Sequence, residues 1–401
     1  MRLVTVLNKC CKFKSFVFQK VKFTDCGKSI IVTIKPRKNS RPICSVCRTE
    51  SPGYDKTGKR LFEFIPTWGF HVFFEYNMRR VLCSRCKKVV VEKVPWADGK
   101  NHLTFFYIKY LADWAKEMAW KTVANRFRTS WQSVHRSVQS IVNYGFEHRK
   151  INDVKALGID EVQYHTGHKY MTLVYQIDKG SRRLLWVGKD RTKKTLRRFF
   201  ADMWKAYLQV LMEKVPDAIN VLDKFHIMQK IGKALDSIRA QEAKRLKQEG
   251  NEVILKNSRW CFLKRKFNLT KSQKGKLKEL VNMNLNIVKG YILKEQFHKF
   301  WEYNSPTWAG KFLDNWCELV LEADLKPMTK ITEMLQRHRN LILNYFRAKK
   351  DFNSGIVEGL NRKVNLTIRK AYGFRSFEVM KTALYHQLGH LPEPSFKHDF
   401  W

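Results

Sequence analysis

Acidic residues are scarce in this sequence. Its 401 residues hold 36 Asp and Glu against 77 Lys and Arg, a formal net charge of +41. A chain so poor in acids repels itself until a polyanion neutralises it. DNA or RNA is therefore the natural partner, held through phosphates and released by salt. Long apolar runs are also missing. None approaches the ~18 residues that cross a bilayer, no lipid-directed amphipathic segment stands out, and Met1 opens no signal-peptide pattern. The expectation is an intracellular protein without a membrane partner, whose nine cysteines are thiols or metal ligands rather than disulfides. No Ser/His/Asp arrangement and no Gly-rich phosphate loop is present, which sets aside nucleophilic and P-loop chemistry. Hydrophobic residues still make up 44% of the chain, enough to bury cores, and the length suits about two to four domains.

The cysteines that are spaced for a purpose are Cys44-Ser-Val-Cys47 and Cys83-Ser-Arg-Cys86. One such pair would fit redox chemistry. Two pairs separated by a β-rich stretch, Val72–Tyr76, match a tetrahedral four-cysteine zinc ribbon, in which four thiolates leave no open coordination position. Its metal would be structural. Cys10, Cys11, Cys26, Cys261 and Cys317 lack a partner spacing and read as buried or incidental. A further strand is expected over Lys28–Ile34. From Leu103 to Val142 the period turns helical, with Phe105, Phe106, Ile108, Leu111, Trp114 and Met118 along one side of a first helix. Trp120, Val123, Ala124 and Phe127 form a short second one. Ser130 is then a good N-cap for a third, carrying Trp131, Val134, Val138 and Ile141 at helical spacing. A short helix, a tight turn and a second helix read as a helix-turn-helix, with Ser133, His135, Arg136 and Gln132 facing the DNA major groove.

Acids are rare enough that their positions carry information. Lys155–Glu161 is an apolar run ending on Asp160. It is followed by Tyr170–Ile177 and Leu184–Val187, with His165-Thr-Gly-His168 and Asp178-Lys-Gly-Ser181 between them. Runs of this kind predict a three-stranded antiparallel meander. A carboxylate at the end of a buried strand needs a cation or a metal. Thr192–Phe200 reads as a basic helix running into Asp202, and Ala218–Leu222 as a strand closing on Asp223. Residues 227–350 read as helix, with aromatics (Trp260, Phe262, Phe297, Phe300, Trp301, Trp308, Trp316) as core or solvated faces. Near the C-terminus, Glu358, Asn361, Asn365 and Arg369 fall within about 80° of one another on a helical wheel, with Ile356, Leu360 and Val364 behind. Carboxylates delivered by separate elements suit two-metal phosphoryl transfer, where acidic oxygens hold a pair of Mg²⁺ ions.

The two knuckles, the helix-turn-helix, Gly158–Glu161, Asp202–Tyr207, Leu222–Ile227, Val357–Asn361 and Arg369–Phe374 together resemble the bacterial insertion-sequence transposases of the ISL3 family, over nearly the whole chain. The resemblance implies an α+β multidomain protein. A zinc ribbon would span 1–98 and a helix-turn-helix domain 99–150. A ribonuclease H-like DDE domain would be formed by 151–228 and 351–392, interrupted by a helical insertion at 229–350. It implies Mg²⁺-dependent (or Mn²⁺-dependent) cleavage and joining of transposon ends in double-stranded DNA by a dimer or larger assembly, in the bacterial cytoplasm beside the nucleoid. The triad carried over is Asp160, Asp202 and Glu358, with Asn361 and Arg369 orienting Glu358 or touching the scissile phosphate. One feature departs from the family. A strand normally precedes the second aspartate, whereas here Phe200 is followed almost at once by Asp202. Asp223 is therefore the alternative second ligand. An internally deleted chain that binds DNA without cutting it is the alternative function, and a zinc-finger transcription factor acting through residues 1–145 is a third.

Overall fold

The computed structural model describes residues 3–151, 154–192, 224–251, 254–348 and 354–395. Asp202, Asp223, the strand expected at Ala218–Leu222 and all but the first residue of the helix expected at Thr192–Phe200 lie outside the described residues. The architecture is α+β, with two sheets, one of them mixed, and thirteen α-helices among the described residues. It divides into two compact units, Met1–Phe199 with Gly359–Trp401, and Phe200–Glu358. Among the described residues no helix is long and apolar enough to cross a membrane.

The first unit begins with α1 (Leu3–Cys10), β1 (Phe16–Phe23), β2 (Ser29–Pro36), β3 (Gly53–Thr67), β4 (Phe70–Cys83) and β5 (Lys88–Val91). The strand order is β1-β2-β4-β3, with β5 also pairing β4. Only β2 and β4 run parallel. Trp68 and Gly69, at φ 55° and 83°, make the turn between β3 and β4, a backbone region that glycine enters freely. Alternating apolar positions of β1, β2 and β4 close over Trp96, which is fully buried and meets Phe16, Phe62 and Tyr76 edge to face. Beside this core, Glu92 is 3% exposed. It accepts hydrogen bonds from Tyr76 Oη (2.6 Å), Arg79 N (2.7 Å) and Arg79 Nε (2.9 Å), so its buried charge is matched on every side.

Next come α2 (Phe105–Glu117), α3 (Trp120–Arg126) and α4 (Trp131–His148). The Thr104 hydroxyl accepts from Tyr107 N to cap α2, and the Ser130 hydroxyl accepts from Ser133 N to cap α4, as its position predicts. The buried face of α2 differs from the aromatic stripe expected for it. Tyr107, Ile108, Leu111, Ala112 and Ala115 face inward, while Trp114 is 39% exposed and packs on Tyr110 and Phe127. Small alanines let a neighbouring helix approach where a tryptophan would hold it off. The meander follows as β6 (Leu157–His165), β7 (Lys169–Asp178) and β8 (Ser181–Lys189), antiparallel throughout. Its turns use Gly167 and His168 (φ 77° and 59°) and Gly180 (φ 87°).

The second unit is helical: α5 (Lys224–Gln248), α6 (Arg259–Leu263), a 3₁₀ turn at Lys266–Asn268, α7 (Lys271–Val281), α8 (Asn286–Phe300), α9 (Pro306–Glu322), α10 (Lys326–Arg337) and α11 (Arg339–Arg347). Of the aromatics noted in the sequence, Phe262, Phe297, Phe300, Trp301 and Trp316 lie in its core, and Trp260 and Trp308 are exposed. The chain returns through α12 (Ser354–Lys370), inside which the unit boundary falls, and ends with α13 (Phe377–Leu388). In the first unit α13 covers the meander and α4. Tyr385 Oη accepts from Val187 N (3.1 Å), its ring meets Phe146 edge to face, and Thr382 Oγ1 donates to Gln139 Oε1 (2.9 Å).

Candidate functional site

Asp160 stands on β6, half-buried, directly opposite Leu173 of β7. Two registers back on the same face, Gly158 lies opposite Tyr175, which is fully buried. The glycine puts no side chain across from the phenol. Over this face lies Asn361 of α12, half-buried, with Leu360 and Val364 buried behind it. Asn361 Nδ2 donates to Asp160 Oδ2 at 2.6 Å, and Tyr175 Oη donates to Asn361 Oδ1 at 2.8 Å. Asp160 Oδ1 accepts from Glu161 N at 2.8 Å.

The chemistry of these groups fixes the direction of the chain of bonds. An ionised carboxylate can only accept, so the amide must turn its NH₂ toward Asp160, which leaves its oxygen for the phenol. Burial, reinforced by the Asp160 charge, pushes the Tyr175 phenol well above its usual range and keeps it a donor. Asp160 spends two acceptor positions on these bonds. Since a carboxylate has about four, roughly half remain for a cation.

The other expected residues are distributed as follows. Glu358 is exposed and precedes Asn361 by one turn of α12. Asn365 is half-buried one turn beyond, and Arg369 is exposed about 12 Å further along the axis than Asn361. On α4, Arg136 and Gln132 are exposed. Ser133 is half-buried, its amide and hydroxyl engaged by Ser130 Oγ. His135 is half-buried too, stacked on Trp131 at 5.3 Å and packed against Trp120. The C-terminal run around Arg369–Phe374 docks on α2, α3 and α4. Phe374 meets Trp120, the Arg375 guanidinium lies over the Trp131 ring at 4.4 Å, and Lys370 Nζ donates to Lys116 O at 2.6 Å.

Around β4 and β5 the four cysteines converge. The Sγ atoms of Cys44, Cys47, Cys83 and Cys86 all lie within 4.8 Å of one another. A tetrahedron with zinc–sulfur bonds of about 2.3 Å has sulfur–sulfur edges of roughly 3.8 Å, so the cluster fits a zinc ribbon. Both knuckles are built alike. Arg48 N donates to Cys44 O and Lys87 N to Cys83 O, with Arg48 and Lys87 at φ 61° and 51°. The Cys86 amide also donates to Cys83 Sγ at 3.3 Å, which holds that thiol well below the usual range. Of the other cysteines Cys11, Cys261 and Cys317 are buried and Cys10 and Cys26 exposed.

A family model described as a transposase, that of the ISL3-type DDE enzymes, matches residues 157–384, more than half of the chain. The chain belongs to the ISL3 family of DDE transposases. It is similar to the transposase for insertion sequence element IS1001 of Bordetella parapertussis, at 26% identity over 371 residues, covering 88% of this chain and 90% of that protein. It is also similar to the transposase for insertion sequence element IS1557 of Mycobacterium tuberculosis, at 25% identity, covering 93% of this chain and 92% of that one. No solved structure gives a significant match. The ISL3 assignment makes the chain a DNA transposase and a DNA-binding protein. Tyr175 is the site residue that sequence reasoning missed. Because β7 is buried without a break from Met171 to Ile177, no alternation marks Tyr175, and only its pairing with Gly158 singles it out.

Proposed function

We propose that the protein binds the terminal inverted repeats of its insertion sequence and cuts and joins their DNA, using divalent metal held by Asp160, Glu358 and a second aspartate. Asp202 is the motif match for that aspartate, and Asp223 is the alternative. The observation that carries this reading is the oriented carboxylate of Asp160, gripped by an amide whose helix also carries Glu358 one turn earlier. When bound, Mg²⁺ ions would supply charge stabilisation at the scissile phosphate and activation of the attacking oxygen. The protein's part is to aim and confine. Asn361 holds one Asp160 oxygen and Glu161 N the other, so the remaining acceptor positions face a fixed direction, while Tyr175 keeps the amide from flipping. Arg369, exposed further along α12, would contact DNA phosphate.

In this reading the four-cysteine cluster holds structural zinc, α3 and α4 form the helix-turn-helix, and Arg136 with Gln132 leads the groove contacts. His135 and Ser133 support the helix from its flank. Active assemblies would contain two or more chains. The test is cleavage of a duplex carrying the element's end, with Mg²⁺ or Mn²⁺, by wild type, Asp160→Ala and Glu358→Ala. Wild type should cut and both variants should bind without cutting. If none cuts and all bind alike, the protein grips ends without processing them, which is the outcome expected of an internally deleted chain.

A further inference from the structure

The second unit carries a surface that the catalytic reading leaves unused. Residues 254–278 contain nine lysines and arginines and no aspartate or glutamate. Two large aromatics stand out of this stretch: Trp260 is 52% exposed and Phe267 72% exposed. Each is flanked by cations. Arg259 and Lys264 lie over the Trp260 ring at 5.4 and 5.9 Å, and Arg265 over the Phe267 ring at 5.8 Å. Lys264 and Arg265 are consecutive, so the two ring–cation pairs adjoin along the chain.

The platform under them is held rigid. Lys294, 4% exposed, donates to Phe262 O (2.8 Å) and Lys264 O (3.4 Å), so a buried ammonium braces the backbone between the two rings. Arg259 is clamped by Asp236 (Nη2 to Oδ2, 2.7 Å), and Thr270 with Gln273 closes the following helix with a reciprocal capping box. Cys261 and Phe262 anchor the same turn in the core. Exposed rings are common, but two rings held out on one braced stretch that carries no acid of its own suit something flat and anionic.

We infer that Trp260 and Phe267 stack the bases of an unpaired DNA strand while the surrounding lysines and arginines hold its phosphates. Stacking requires free base faces, which a duplex hides and a single strand offers, and every base has one, so the surface needs no sequence. The choice of DNA rests on the transposase reading, whose reaction exposes unpaired strands beside a cut.

The test uses the full-length protein without added magnesium and a fluorescent DNA strand of about 20 nucleotides bearing no element end, against the same sequence as duplex. Loss of cleavage or of end recognition therefore leaves the readout untouched. The Trp260→Ala/Phe267→Ala variant should lose at least about 10-fold in affinity for the strand, given roughly 5- to 150-fold per stacked base, and change less than about 2-fold on the duplex. Trp260→Phe should retain most of the binding. A strand carrying 5-iodouracil should cross-link to the peptide around residues 259–268. Both rings are exposed, so the thermal midpoint should hold; if it falls, Trp260→Leu/Phe267→Leu, which keeps apolar bulk without a stacking face, should lose the strand as the alanine pair does. Unchanged strand affinity, equal loss on strand and duplex, or cross-links only elsewhere would overturn the assignment.

Discussion

Asn361 shows how much one side chain can do when its neighbours leave it no choice. A carboxylate below and a phenol above fix its amide in one orientation. Groups that orient a metal-binding carboxylate cost about 10- to 100-fold when removed. Asn361→Ala should therefore lower end cleavage by that factor and raise the Mg²⁺ concentration for half-maximal rate, while end binding stays unchanged. Tyr175→Phe, which removes only the bond that fixes the amide, should cost less, roughly 10-fold, and shift metal dependence the same way. A buried base makes a second prediction at this scale. His386 is 7% exposed, and burial, aided by the nearby Lys116 charge, lowers its pKa to about 3. The unfolded chain takes up the proton near pH 6.5 and the folded chain resists it. The stability His386 protects is thus whole above pH 6.5 and drains as pH falls toward 3. At about 1.4 kcal/mol per pH unit, urea unfolding should show wild type losing roughly 2 kcal/mol more than His386→Phe between pH 6.5 and 5.

Among the elements, the pair of cysteine knuckles and the strands around them form one structure. Zinc in a four-thiolate site contributes directly to folding. The purified chain should hold one zinc ion by elemental analysis, and Cys83→Ser should lose it together with ordered amides across residues 40–92 in hydrogen exchange. Acidification should release the metal, since protons compete for the thiolates. The ion pair of Arg79 and Glu92 sits against this module, bridged through Cys44 and Glu92. Removing one partner of a buried pair strands the other's charge and costs about 3–5 kcal/mol. Arg79→Met should lower unfolding free energy by that amount, and Arg79→Met/Glu92→Leu should recover much of it. Close packing is equally strict on α4. A Cβ at Gly145 would meet Leu391 Cβ at 2.5 Å, so Gly145→Ala should cost about 1–3 kcal/mol unless the segment at Leu391 lifts away.

For the molecule as a whole, charge dominates. With +41 spread along the chain, affinity for end DNA should fall steeply with salt, by about 10³ to 10⁵ between 50 and 200 mM if six to ten phosphates are engaged. A slope near zero on a log–log plot would contradict a phosphate-tracking surface. Much of the organisation was legible in advance, because it rests on local signals. Cys-x-x-Cys spacing, Ser130 as a cap and the glycine-bearing turns of the meander each act within a few residues.

By itself the sequence determined the thiol tetrad, the meander that carries Asp160, the helix that carries Glu358 and Asn361, and the surplus of positive charge. Each is a matter of residue type at short spacing, where turn chemistry and periodicity act. Tertiary structure alone decided which aromatics are core and which are exposed, that Trp114 turns outward while alanines face in, and that His135 is half-buried against Trp131. It also decided that Tyr175 locks the amide on Asp160. Those outcomes depend on strand register and on helix faces meeting across 186 and 201 residues of chain, and no local pattern encodes which distant surface will arrive.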